Sequence, residues 1–156
     1  LKSGQFTLDL GAAPGAWTQV ALKFLGSQGR VVGLDLKPID FKSPQARFYQ
    51  MDAFDFDPAI LEEKLPDCIL SDMAPNTTGS RNVDQARSFE LCMKVVDLNK
   101  KYLKPGGHSV IKLFEGPDAK KLDQEFSSLF QKVKRFKPEA VRKGSIELYL
   151  IGLSKK

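Results

Sequence analysis

The 156-residue sequence predicts an α/β fold: a seven-stranded, mostly parallel sheet with a last antiparallel strand and helices on both faces, in a single domain over residues 1–156. Three observations predict it. Short apolar runs alternate with stretches of helical periodicity along the whole chain, the pattern of βαβ units. A glycine-bearing turn at 11–15 and the carboxylates Asp35, Asp52 and Asp72 each close or follow an apolar run, and a doubly wound sheet offers that end of its strands to ligands. Hydrophobic residues make up 42% and charged residues 28%, a balance that builds a core without metal or disulfide.

Taken in order, residues 6–10 read as the first strand, ending in the turn at 11–15. Residues 16–25 follow as a helix, with Trp17, Val20, Ala21 and Phe24 at helical spacing and Gly26 as its stop. Residues 30–36 and 46–52 read as the second and third strands, and a short helix fits 58–65, where Pro58 suits a first turn. Residues 68–73 are the fourth strand, followed by a polar loop at 77–83. A long helix over 84–103 repeats Leu91, Val95, Leu98 and Tyr102 before Lys104-Pro105-Gly106-Gly107 stops it. The fifth strand (109–114), a helix (119–132), and the strands 133–137 and 146–153 complete the chain. The short link between the last two predicts an antiparallel hairpin.

Cys68 and Cys92 lie in apolar contexts without metal-ligand spacing, so they read as buried free thiols. Free thiols point to a reducing compartment, a bacterial-type cytoplasm, with a mitochondrial location as the alternative. No run reaches the roughly 18 apolar residues of a membrane span, and no coiled coil or wide apolar face argues against a monomer. The net charge of +5 is unevenly placed. Residues 132–156 carry eight Lys/Arg against Glu139 and Glu147, while the preceding 131 sum to −1. A basic block on a near-neutral body suits a phosphate-backbone binder or a solvated tail, and charge alone does not choose.

In the first turn, Gly11 and Gly15 bracket small residues, and glycine permits strained dihedrals and close approach to a ligand. The dinucleotide fingerprint G-x-G-x-x-G is not met, since the spacing is G-x-x-x-G with Pro14 inside, and no Gly-Lys-Ser/Thr follows to make a phosphate loop. Asp35, 20 residues past Gly15, is placed to accept both ribose hydroxyls of an adenosine. Asp52, ending the third strand, is placed to accept from an exocyclic adenine amine, as sheets that bind S-adenosyl-L-methionine (SAM) require. Singly, each aspartate also reads as a loop or helix cap.

Residues 9–17 (DLGAAPGAW), 71–76 (SDMAPN) and 110–116 (VIKLFEG) together resemble the FtsJ/RrmJ-type ribosomal RNA 2′-O-methyltransferases over nearly the whole chain. The resemblance implies a Rossmann-like class I SAM-dependent methyltransferase domain. It implies SAM contacts at Gly11, Ala12, Pro14, Gly15, Trp17, Asp35, Asp52 and Asp72, with Ala16 standing where the family often has a second glycine. It also implies a Lys-Asp-Lys-Glu catalytic set. Asp72, Lys112 and Glu147 match three of its members, and the first lysine is expected upstream of Leu1 or missing. The implied substrate is a uridine ribose of large-subunit (23S-type) ribosomal RNA, on free RNA or an assembled particle.

The residue types make chemical sense beside the resemblance. Methyl transfer from a sulfonium needs a hydroxyl to be positioned and relieved of its proton. Lys112, inside the apolar run Val110-Ile111-Leu113-Phe114, is either a snorkelling edge residue or a desolvated functional amine. Burial and the sulfonium favour its neutral form, neighbouring carboxylates its ammonium, and both states stay open. Glu147 alone also reads as an exposed strand residue. His108 reads as structural, and no metal set is visible. Arg81, Arg142 and Lys143 are candidate phosphate contacts, which position RNA without reading its sequence. Two rivals are carried: a SAM methyltransferase for a base or small molecule, against which the lack of an aromatic after Asp72-Met73-Ala74-Pro75-Asn76 counts, and a non-catalytic SAM- and RNA-binding module.

Overall fold

The computed structural model describes residues 1–138 and 146–156. Five strands, β1 (Phe6–Leu10), β2 (Arg30–Asp35), β3 (Ala46–Gln50), β4 (Cys68–Ser71) and β5 (His108–Phe114), run parallel, and β6 (Phe130–Phe136) and β7 (Glu147–Lys155) complete the sheet. The order is β3-β2-β1-β4-β5-β7-β6, with β7 antiparallel to both neighbours. β1 is buried along its length and sits where the chain direction reverses: β2 and β3 extend to one side, β4 and β5 to the other. That reversal places a crevice beyond the carboxyl ends of β1 and β4.

Helices cover the two faces unequally. On one, α1 (Ala16–Leu25) packs Ala21 and Leu25 against Val31, Cys68 and Leu70. On the other, α2 (Arg81–Tyr102) and α3 (Ala119–Leu129) close the larger core over Leu8, Val32, Ile69, Ile111 and Leu150. None of the described helices is long and apolar enough to cross a membrane. Cys68 and Cys92 are buried free thiols, and burial pushes each up to about 12.

Several local expectations are corrected. The buried stripe of α1 is Thr18, Ala21 and Leu25, while Val20 and Phe24 face solvent; the helix turns its hydroxyl inward because Thr18 donates to the buried Asp9. The expected helix at 58–65 is instead a single 3₁₀ turn, Pro58–Leu61, preceded by another at Ala53–Asp55, each capped by an aspartate side chain. The helix expected to reach 132 stops at Leu129, because Phe130 turns into the core against Phe126 and pairs with Lys155 on β7. α2 starts three residues early, at Arg81, within the expected loop. His108 plays the structural part expected of it: its Nδ1 accepts from the Ser154 N–H at 3.0 Å.

Candidate active site

Strand order converts five separated sequence positions into a row. Reading across the carboxyl rim from β3 through β2, β1 and β4 to β5, the sheet presents Asp52, Asp35, Gly11, Asp72 and Lys112. β7 runs the other way, so its first residue, Glu147, lies at the same rim, opposite Phe114, and Tyr149 lies opposite Lys112.

A cleft of about 350 Å³ occupies this rim, lined among others by Gly11, Asp35, Asp52, Asp72, Met73 and Asn76. Its size suits a nucleoside-bearing ligand. The backbone at Gly11 has φ +75°, and a Cβ there would stand 2.8 Å from the Met73 nitrogen, so only glycine lets β1 and the segment after β4 approach this closely. Gly15, with φ +106°, caps α1. Ala12, Pro14, Gly15 and Trp17 do not line the cleft: Ala12 is buried beneath it, and Trp17 packs its ring 5.7 Å from that of Tyr149.

The carboxylates have assigned hydrogen bonds as well. Asp35 accepts from the Ala13 N–H at 3.0 Å and the Lys37 N–H at 2.8 Å. Asp52 accepts from the Phe54 N–H at 2.9 Å, so capping and cleft lining fall on one residue. Behind them lies Asp9, whose Oδ2 accepts from the Thr18 hydroxyl at 2.5 Å and whose Oδ1 is buried with no partner among the described residues. Burial lifts the Asp9 carboxyl to about 6; the Thr18 bond opposes the rise, and the negative charges of Asp72 and Asp35 add to it.

These observations test the fit of SAM to the cleft. The turn's Ala13 and Gly15 N–H groups are committed to Asp35 and to the Ala12 carbonyl, which leaves little for a pyrophosphate. The acceptors instead suit a cationic ligand that brings ribose hydroxyls and an amine as donors. The residues present fit SAM.

The Asp9 rise has a consequence for stability. The folded state holds this proton more tightly than the unfolded chain, so the group's contribution is full below about pH 4 and is lost as pH climbs through 6. At about 1.4 kcal/mol per unit the loss approaches roughly 3 kcal/mol by neutral pH. Asp9→Asn keeps an acceptor for Thr18 and removes the titration. Urea unfolding at steps from pH 4 to 7 is expected to show the variant gaining on the parent by up to that amount; parallel curves would place the dependence on other groups.

At the other end of the row, Lys112 Nζ lies 2.9 Å from Asp72 Oδ1, with the lysine side chain 11% exposed and the aspartate 32%. The lysine is thus turned in and paired, which decides against the snorkelling alternative. Tyr149 completes the cluster and was not among the sequence candidates. Burial pushes its hydroxyl above the ordinary range, and the charges of Asp72 and Glu147 push the same way. The only sequence signal for it is its spacing, two residues after Glu147 on the same face of a strand.

A second missed feature holds Lys112 in place. β4 ends its pairing at Ser71–Ile111, and β5 continues past it without a strand on that side. Side chains of α2 take over: the Cys92 thiol donates to the Lys112 carbonyl at 3.3 Å, Ser88 Oγ accepts from the Phe114 N–H at 3.0 Å, and the Gln85 amide donates to the Glu115 carbonyl. Of the phosphate candidates, Arg81 is exposed at the first turn of α2, beside Glu147. Arg142 and Lys143 lie outside the described residues.

Comparison with known proteins shows the family of the chain. A sequence profile described as FtsJ-like methyltransferase matches residues 1–155. The chain is 48% identical to the ribosomal RNA large subunit methyltransferase E of Bdellovibrio bacteriovorus, covering 99% of this chain and 82% of that protein. It is 46% identical to the protein of the same name from Desulfatibacillum aliphaticivorans, covering 100% and 77%. Among solved structures, a ribosomal RNA methyltransferase from Plasmodium falciparum superposes with a TM-score of 0.85 at 27% identity, over 99% of this chain and 88% of that one. Aeropyrum pernix fibrillarin, solved with S-adenosyl-L-methionine bound, shares the fold at a TM-score of 0.69 and 15% identity, over 97% and 67%.

Proposed function

Because the chain belongs to the FtsJ-like methyltransferase family, we propose that it transfers a methyl group from SAM to a ribose 2′-hydroxyl of RNA, a uridine of large-subunit (23S-type) ribosomal RNA. The observation that carries this reading is the rim row: an acidic cleft fit for SAM ends at a paired, nearly buried amine, Lys112 at 2.9 Å from Asp72. The names of the curated relatives support the choice of large-subunit ribosomal RNA.

In this reading Asp35 takes the adenosine ribose hydroxyls, and Asp52 takes the adenine amine. Gly11 lets the chain pass close under the ligand, and Asp72 faces both the cleft and Lys112. When bound, SAM supplies a methyl group that is already electrophilic. Lys112 positions the 2′-hydroxyl and accepts its proton at Nζ, and the Asp72 carboxylate stabilises the ammonium so formed. Glu147 stands at the same rim, opposite Phe114, and its negative charge acts on the neighbouring Tyr149 hydroxyl. Positioning of this kind is worth roughly 7–11 kcal/mol of barrier.

The test is transfer of labelled methyl groups from SAM to large ribosomal subunits of a strain lacking the activity, followed by digestion to nucleosides. Label in a 2′-O-methylated uridine is the expected result. Label on a base would transfer the assignment to the first rival, and SAM binding without any transfer would leave a binding module.

A further inference from the structure

A second cavity, of about 300 Å³, lies beside the reaction centre and shares no lining residue with the cofactor cleft. We propose that it seats the base of the acceptor nucleotide against the ring of Phe114, with Arg81 holding an adjoining phosphate. The proposal rests on the RNA-ribose reading above and adds the residues that hold the acceptor.

Position comes first. Phe114 follows Lys112 by two residues on β5, so both side chains leave the same face of the strand, with Cα atoms about 6–7 Å apart. That is the scale separating a ribose hydroxyl from the face of its own base. A hydroxyl held at Lys112 therefore brings its base over Phe114. The cofactor cleft includes Asp72, which pairs with Lys112, and the second cavity includes Phe114 and Glu147 at the same rim, so the two ligands of a transfer have separate seats.

The lining fits a nucleotide in both shape and charge. Phe114 and Ile146 supply apolar walls, and RNA-binding proteins commonly hold unstacked bases against an aromatic ring. The Phe114 backbone is pinned by Ser88 Oγ at 3.0 Å, so the ring stands on a fixed platform. Asp84, also in the wall, is committed to the loop: its Oδ1 accepts from the Thr78 N–H at 2.8 Å and the Thr78 hydroxyl at 2.9 Å. Glu147 lies on the inner side, where a nucleoside offers hydroxyls. Arg81 stands exposed and makes no ion pair among the described residues. Carboxylates inside and a cation at the rim match a nucleoside directed inward with its phosphate outward.

Steady-state methyl transfer to unmethylated large ribosomal subunits tests this with Phe114→Leu, Phe114→Trp and Arg81→Ala. Each variant is also checked by thermal melting and by calorimetry with S-adenosylhomocysteine. Phe114→Leu is expected to lose about 10- to 100-fold in kcat/KM at parental affinity for S-adenosylhomocysteine, and Phe114→Trp to restore most of it. Arg81→Ala is expected to raise KM and to flatten its salt dependence by about one unit of slope. Parental kcat/KM in Phe114→Leu, or a tryptophan variant as impaired as the leucine one, would overturn the stacking site. A parent enzyme that labels no ribose would sink the RNA-ribose reading and this site with it, whereas a parent that labels ribose beside an unaffected Phe114→Leu would sink the site alone.

Discussion

Lys112→Met is expected to lower kcat for methyl transfer by about 10²–10⁴-fold, the range a positioned proton acceptor contributes, while affinity for S-adenosylhomocysteine stays within a few fold. The separation follows from placement. Lys112 contacts Asp72 at 2.9 Å but is not part of the cofactor cleft, whereas Asp72 belongs to both. Methionine keeps the apolar stem packed in its nearly buried slot, so a loss of rate is not a loss of fold. Asp72→Asn is the informative companion: it should weaken both turnover and cofactor binding. Full turnover in Lys112→Met would remove the amine from the mechanism.

Those two residues show what a sequence of this kind discloses. Asp35, Asp52 and Asp72 were legible because a doubly wound sheet presents the carboxyl ends of its parallel strands on one side, so position after an apolar run is already position at the rim, whereas Lys112 stood out as an amine inside an apolar run and through the family resemblance. The contributions of β7 and α2 were not. Tyr149 stands opposite Lys112 only because β7 is inserted between β5 and β6, and the short link predicted the hairpin without the order of the sheet. Gln85, Ser88 and Cys92 hold β5 only because β4 stops short of it, a difference in strand length that no local pattern encodes. The first residues of α2, Arg81-Asn82-Val83, follow directly on a polar Thr-Gly-Ser stretch, which put them in the expected loop. In α1 the inward side chain is a threonine answering a buried carboxylate, so hydrophobic spacing pointed to Val20 and Phe24, on the wrong side of the helix.

Gly11 is the position where the smallest substitution should do the most damage. Alanine there keeps the φ of +75° only with strain of about 1–2 kcal/mol. Its Cβ would also lie 2.8 Å from the Met73 nitrogen and 3.0 Å from its Cα. Backbone cannot swing aside as a side chain can, so the segment after β4 must move, and with it the Asp72 N–H that donates to the Leu10 carbonyl at 3.0 Å. Overpacking of this kind adds roughly 1–3 kcal/mol, for a total near 2–5 kcal/mol of lost stability. Displacing Asp72 would at the same time open the cleft between β1 and β4, and affinity for S-adenosylhomocysteine should fall by more than tenfold. Gly106→Ala separates the two causes, since its φ of +77° is nearly the same but no atom lies within 4 Å of the added methyl. That variant should show the dihedral cost alone and bind the cofactor product normally. If Gly11→Ala melted no lower than Gly106→Ala and bound as well, the close approach of β1 to the Asp72-Met73 backbone would not be what shapes the cleft.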